Sequence, residues 1–348
     1  LTPDSRPLSP GYAIGLRLSA IAAEELLQGD KLQQFQQWLS DENCYVFTIN
    51  GFPYGSFHGT RVKEKVYQPD WSSADRLHYT NKLFTIIARL VPEGVDGSVS
   101  TLPGSFKEFH ADESAIFKNL EACAQHIEKL SAESNRDLHL GLEPEPLGHF
   151  ENTEETLAFF DRFLATVDDP ELVKRRIGIN YDTCHFALEF NDCHPSLDAL
   201  RSAGLRISKV HLSSALAFDP AAADALSAIH AFDEPTYLHQ VITRDDQGKL
   251  TRFKDLPDFF AALDTGSIQL NTTRDARIHF HIPLYAQPEA PMASTQSHAV
   301  DALDYLKKHP GFCSHFEIET YTWGVLPDSL QIPIADQIAK EYAWVLTS

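Results

Sequence analysis

The chain has 348 residues, with 29 lysines and arginines against 49 aspartates and glutamates, so its formal charge is −20. That charge opposes nucleic-acid and anionic-membrane partners, and the basic runs Arg61–Lys65 and Lys174–Arg176 are too short to reverse it. Five widely spaced cysteines with no CxxC pair read as reduced thiols of a cytoplasmic protein rather than a disulfide framework, and no apolar run reaches the ~18 residues of a membrane span.

Arg6–Pro10 reads as a loop, and Tyr12–Ser19 (YAIGLRLS) as a strand. Because the chain starts at Leu1 in such a loop, a further strand is expected upstream. A helical pattern over Ala20–Leu39 leads to the strand Cys44–Asn50 and then to the aromatic, glycine-rich stretch Asn50–His58 (NGFPYGSFH). The helix Ala74–Leu90 follows, and then Gly97–Pro103, which reads either as a barrel strand or as a side strand. Next come the helix Glu113–Leu130, the strand Leu138–Glu143 and a helix capped at Asn152 with Leu157, Phe159, Phe160, Phe163 and Leu164 at helical spacing. The strand Ile177–Asp182, a short helix Pro195–Ala203 closed by Gly204, and the strand Ile207–His211 complete this regular part.

Residues from about 213 to 275 exceed what one crossover helix needs. Tyr237–Arg244 and Lys249–Phe253 flank Asp245–Gly248 as a β-hairpin, and Leu256–Leu263 is helical. This insertion reads as a lid or as a surface decoration. The strand Arg277–Pro283 (RIHFHIP) is expected to return to the barrel, followed by a helix around Val300–Lys308, the strand His315–Glu319 and a last helix Ala335–Leu346. About eight strands alternating with eight or nine helices predict an α/β fold: a single (β/α)8 TIM barrel over residues 1–348.

Four of the strands end in a metal-binding side chain: Glu143, Asp182, His211 and Glu319. In a parallel barrel, the carboxyl ends of the strands form one face, where catalytic groups gather. Carboxylates and imidazoles on that inner face are costly unless paired or coordinated. Two glutamates, an aspartate and a histidine suit Mn²⁺, Mg²⁺, Co²⁺ or Zn²⁺ without choosing among them. His185 lies three residues after Asp182, Glu317 shares a strand face with Glu319, and His279 and His281 share another. With His211 and Asp182, these histidines leave room for a second metal. Phe52, Tyr54, Phe57 and Trp323 are candidate pocket walls.

The order of Glu143, Asp182–His185, His211 and Glu319 resembles the xylose-isomerase-like barrel superfamily of sugar epimerases, ketose isomerases and endonuclease-IV-type enzymes. Longer phrases are similar to the E component of the Ebo-type metabolite-traffic proteins: Gly15–Ser19, Thr48–Gly55, Phe57-His58-Gly59, Val66–Trp71, Tyr237-Leu238-His239-Gln240, His279–Pro283 and Glu319–Trp323. The superfamily resemblance implies that Glu143, Asp182, His211 and Glu319 bind the metal. It also implies that Glu143 and Glu319 flank a small hydroxylated or carbonyl metabolite as acid and base, and that His185 touches substrate or a second metal. The narrower resemblance implies a secondary-metabolite pathway and adds His58 and His239 as site candidates, with a non-catalytic metabolite carrier as the alternative. Ser213, Ser214 and Ala215 after His211, and His279-Phe280-His281 in place of an Asp-x-His, depart from the endonuclease pattern, making that activity the weakest alternative. Neither the substrate nor the oligomeric state is legible.

Overall fold

The structure is a computed structural model that describes residues 11–55, 62–327 and 330–348. Six strands, β1 (Tyr12–Arg17), β2 (Cys44–Asn50), β3 (Gly97–Thr101), β4 (Leu138–Leu142), β5 (Ile177–Asp182) and β6 (Ile207–Leu212), pair in parallel in chain order. Five further strands, β7 (Ala215–Phe218), β8 (Val241–Asp245), β9 (Leu250–Phe253), β10 (Thr273–His281) and β11 (Met292–Ser294), form a separate sheet. The last strand, β12 (Phe316–Ile318), rejoins the first sheet in parallel against β6.

The first sheet curls into a barrel of seven strands. The amide of Asn50 at the end of β2 donates to Glu319 Oε1 just past β12 at 3.1 Å. Strands β3 to β6 are buried at every position, as parallel strands covered on both faces must be. Helices Ala74–Leu90, Glu113–Ser134, Thr153–Leu164 and Cys193–Ser202 supply the outer layer. The first is capped by Ser73, and the third by Asn152 as the sequence pattern predicts. Among the described residues no strand bridges the seam between β1 and β12. Tyr12, Phe316, Ile338 and Tyr342 border this seam and are exposed. No described helix is long and apolar enough to cross a membrane.

Of the two readings of Gly97–Pro103, the barrel strand holds, since β3 lies between β2 and β4. Two expectations need correction. The Ala20–Leu39 helix is two helices, Ala20–Leu26 and Lys31–Asp41, separated by Gly29, whose φ of +58° ends helical geometry. Most consequentially, Arg277–Pro283 is not a barrel strand. It belongs to β10, which pairs antiparallel with β7 and β8 in the order β11-β7-β10-β8-β9. The reason is visible in its alternation: Ile278, Phe280 and Ile282 enter a second core with Phe218, Phe232 and Phe259, while His279 and His281 occupy the other face. A barrel strand buried on both sides tends instead to be a continuous apolar run. The predicted hairpin is present as β8 and β9.

Gly178 in β5 marks the tightest backbone approach in the barrel wall, since a Cβ there would lie 2.3 Å from the carbonyl oxygen of Arg206. Gly178→Ala is therefore expected to cost about 2–4 kcal/mol by overpacking and strand displacement, measurable by urea denaturation.

Candidate metal centre

Ligand atoms of Glu143, Asp182, His211 and Glu319 all lie within 4.8 Å of one another. Each is carried by a strand end: Glu143 follows β4, Asp182 closes β5, His211 is in β6 and Glu319 follows β12. Asp182 is fixed from below. Its Oδ1 accepts from the Cys184 and His185 amides at 2.7 and 3.1 Å, capping the helix Thr183–Leu188, and from Ser213 Oγ at 2.6 Å. Its Oδ2 is buried with no hydrogen-bond partner.

His211 Nε2 lies 3.0 Å from Glu317 Oε2, while Nδ1 lies 3.0 Å from Glu143 Oε1, 3.1 Å from Glu319 Oε2 and 3.6 Å from Asp182 Oδ2. With Nε2–H donated to Glu317, Nδ1 faces three carboxylates that a single proton cannot serve. A divalent cation would satisfy the set: an imidazole held by a carboxylate behind it, three carboxylate oxygens in front, and an otherwise orphaned Asp182 oxygen. The residues fit a metal, and the oxygen-rich donor set fits Mn²⁺ or Mg²⁺ as well as Zn²⁺ or Co²⁺.

Beside the quartet, His185, His279 and Glu145 form a second constellation. His185 Nδ1 donates to the Pro144 carbonyl at 2.9 Å and His279 Nδ1 to Gln240 Oε1 at 2.8 Å, so both Nε2 atoms turn inward, 3.1 Å apart. Glu145 Oε2 is 3.2 Å from His185 Nε2, and Tyr67 donates to its Oε1 at 3.0 Å. His281 Nδ1 donates to the Glu319 carbonyl at 2.9 Å, leaving a buried Nε2 without a partner. Burial pushes Glu145 up to about 8, with Glu143 and Asp182 adding to the rise and His185 opposing it. Burial opposes the charge on His185, but Asp182, Glu145 and Glu143 overcome it and lift its pKa to about 9. Both groups thus hold protons more tightly than usual, and a cation bound between them would compete with those protons.

His211 is likewise lifted well above the usual imidazole range: burial and Lys209 oppose its charge, and Glu319 and Glu143 prevail. A raised pKa stabilises the fold below the unfolded value and is lost as pH climbs through the folded one. The metal-free protein should therefore lose thermal stability from pH 6.5 to above 9, the window set by His185. Metal affinity should also rise with pH, because cation and proton compete for His211. Calorimetric titration at several pH values, with melting curves of metal-free and metal-loaded protein, checks both.

The quartet opens into a cavity of about 400 Å³ whose walls include Arg17, Phe52, Tyr67, Tyr237, Gln240, Tyr321 and Trp323. Phe52 and Trp323 take their expected places. Tyr54 does not line the cavity and packs instead against Tyr79. Glu317 lies beneath the quartet, and His185, His279 and His281 beside it. His239 turns away: its ring nitrogens contact the His279 carbonyl at 3.0 Å and Glu234 at 2.9 Å. His58 and Phe57 lie outside the described residues.

Sequence reasoning gave no site role to Lys209, a fully buried amine that donates to Ser100 Oγ at 2.9 Å and Glu317 Oε2 at 2.6 Å. Its place two residues before His211 on the same strand face is a signal that could have found it. Tyr67 and Gln240 carry no such signal.

No family model and no curated protein matches this chain. Solved structures similar to it include the probable 3-DHS dehydratase AsbF of Bacillus anthracis, at 15% identity over 64% of this chain and 66% of that one, TM-score 0.36. A xylose isomerase domain protein from Planctomyces limnophilus is 14% identical over 60% and 73% of the two chains, TM-score 0.37. The 3-keto-D-glucoside 4-epimerase YcjR from E. coli is 14% identical over 84% and 89%, TM-score 0.37. The chain covers just under two thirds of the length of the dehydratase.

Proposed function

We propose that this protein is a divalent-metal-dependent isomerase or epimerase of a small hydroxylated or carbonyl metabolite. The observation that carries the reading is the convergence of Glu143 and Glu319 on His211 Nδ1, at 3.0 and 3.1 Å, within 4.8 Å of the other quartet atoms and lining a cavity of about 400 Å³. When bound, a divalent cation would polarise a carbonyl and an adjacent hydroxyl and so acidify the C–H between them. Glu143 and Glu319 then take up and return the carbon-bound proton. Phe52, Tyr321 and Trp323 supply ring faces for sugar carbons. The insertion acts as a cover, since Tyr237, Leu238 and Gln240, which lead into β8, form one wall of the cavity. His185, His279 and Glu145 are the ligands we assign to a second metal or to a substrate oxygen. The Ebo-type phrases add a secondary-metabolite setting to this proposal.

Incubation of metal-loaded protein with a panel of ketoses and keto-glycosides in D2O, followed by NMR, tests the reading. Deuterium is expected beside the carbonyl of at least one compound, with Glu143→Gln and Glu319→Gln slowing exchange by about 10²–10⁴-fold. A compound that binds in the cavity without exchange would instead assign the protein to metabolite carriage.

A further inference from the structure

The quartet occupies the carboxyl end of the barrel. A second convergence of metal-binding side chains lies at the opposite end. His139 precedes Glu143 by four residues and His315 precedes Glu319 by four, so each pair shares a strand face, about 13 Å apart along the strand. Asp96, immediately before β3, faces both histidines. Its Oδ2 lies 3.3 Å from His139 Nε2 and its Oδ1 lies 3.3 Å from His315 Nε2.

His139 and His315 are 1% and 2% exposed. At 3.3 Å a charge-assisted hydrogen bond would be stretched, and His315 Nε2 in fact makes no hydrogen bond, although it is buried and points at the carboxylate. The other nitrogen of His315 is held: Nδ1 lies 2.8 Å from Ser98 Oγ, which in turn lies 2.7 Å from Thr48 Oγ1. A hydroxyl on Nδ1 that can accept its proton, with Nε2 buried and unpartnered toward the carboxylate, is the arrangement in which second-neighbour groups orient a ligating imidazole. Tetrahedral zinc with bonds of about 2.0–2.2 Å separates its ligands by about 3.3–3.6 Å; each imidazole nitrogen lies 3.3 Å from one Asp96 oxygen, and ligand atoms of all three residues lie within 4.8 Å of one another. Asp96 also accepts from Ser314 Oγ at 2.9 Å, and Arg206, itself bound to Asp137 at 2.8 Å, stands 3.5 Å from Oδ2. Oδ1 is the oxygen left facing His315.

We propose that Asp96, His139 and His315 form a structural site for a zinc-type divalent cation at the amino end of the barrel, separate from the quartet. Two imidazoles and one carboxylate suit Zn²⁺, with water as the fourth ligand on the side where Asp96 is partly exposed. The site has a mechanical role. Strand β12 pairs through its backbone with β6 on one edge alone among the described residues, and the His315–Ser98 hydrogen bond links its start to β3. A cation on His315 would strengthen that link and extend it to β4.

The test uses the full chain, stripped of metal, loaded with Zn²⁺ and passed over a desalting column, with zinc measured by plasma mass spectrometry. His211→Ala, which disables the quartet, is expected to retain zinc, and adding Asp96→Asn to it should lower that zinc by one equivalent and remove the part of the zinc-dependent rise in melting temperature that this site supplies. In the otherwise unaltered protein, Asp96→Asn should lower bound zinc by one equivalent. His315→Gln should do the same and guards against misfolding of the first variant. Zinc content unchanged in both Asp96→Asn and His315→Gln, or no zinc bound by His211→Ala, would overturn the proposal. Neither result would bear on the quartet chemistry, which is read separately by carbon–hydrogen exchange.

Discussion

Asp182→Asn and His211→Ala are each expected to empty the quartet of its cation while leaving the barrel folded. In Asp182→Asn the capping oxygen survives as an amide carbonyl, so the Cys184 and His185 amides and Ser213 keep a partner. What disappears is the negative charge on the oxygen that faces His211. In His211→Ala the lone nitrogen ligand goes, and Glu143, Glu319 and Glu317 lose their shared neighbour. Loss of an outer-shell partner alone typically costs 10–100-fold in metal affinity, so removal of a direct ligand should cost at least about 100-fold. Circular dichroism should show the helical content of the unaltered protein, because the barrel core is built from side chains such as Leu140, Ile179 and Val210, which neither change touches. Full metal content in both variants would remove the quartet as the site.

The second large effect concerns stability. Lys209→Met is expected to destabilise the protein by about 3–5 kcal/mol, since breaking this buried ion pair leaves Glu317 with His211 as its one remaining cationic neighbour among the described residues. Lys209 is fully buried, and its partner Glu317 sits between it and His211. Burial raises the Glu317 pKa, but Lys209 and His211 outweigh that and bring it down to about 2. A depressed carboxylate pKa stabilises the fold above its unfolded value and fails as pH falls through the folded one, so this pair holds from about pH 4.5 upward and is lost toward pH 2. Removing the Glu317 charge as well, in Lys209→Met/Glu317→Gln, should recover most of the loss, because no carboxylate is then left short of the lysine. Urea denaturation of the two variants measures the difference. Equal stability of the single and double variants would mean that Glu317 is satisfied without the lysine.

The four quartet residues were legible because each closes an apolar run, and a strand-end position in a parallel barrel has a fixed meaning. Helix Thr153–Leu164 was legible because Asn152 caps it and its core face repeats at helical spacing, and Ala74–Leu90 was legible as a helical pattern. The second sheet was not. A run such as Arg277–Pro283 states that it is a strand, but its partners β7 and β8 lie about 60 and 35 residues earlier in the chain, and only their pairing, which depends on long-range contacts, decides which sheet it joins. The bottom cluster was hidden for a related reason. His139 and His315 look like ordinary interior residues until β4 and β12 are set on either side of Asp96. Lys209 was passed over because a lysine inside a strand reads as an edge or surface residue, whereas the barrel interior here carries Glu317 to meet it.

Titration of metal-stripped protein with Mn²⁺, followed by electron paramagnetic resonance, tests the quartet most directly, because manganese favours its oxygen-rich donors over a site with two imidazoles. The account predicts one tightly held Mn²⁺ in the unaltered protein and none in Asp182→Asn. Manganese that stays free in both, or binds equally well to both, would contradict it.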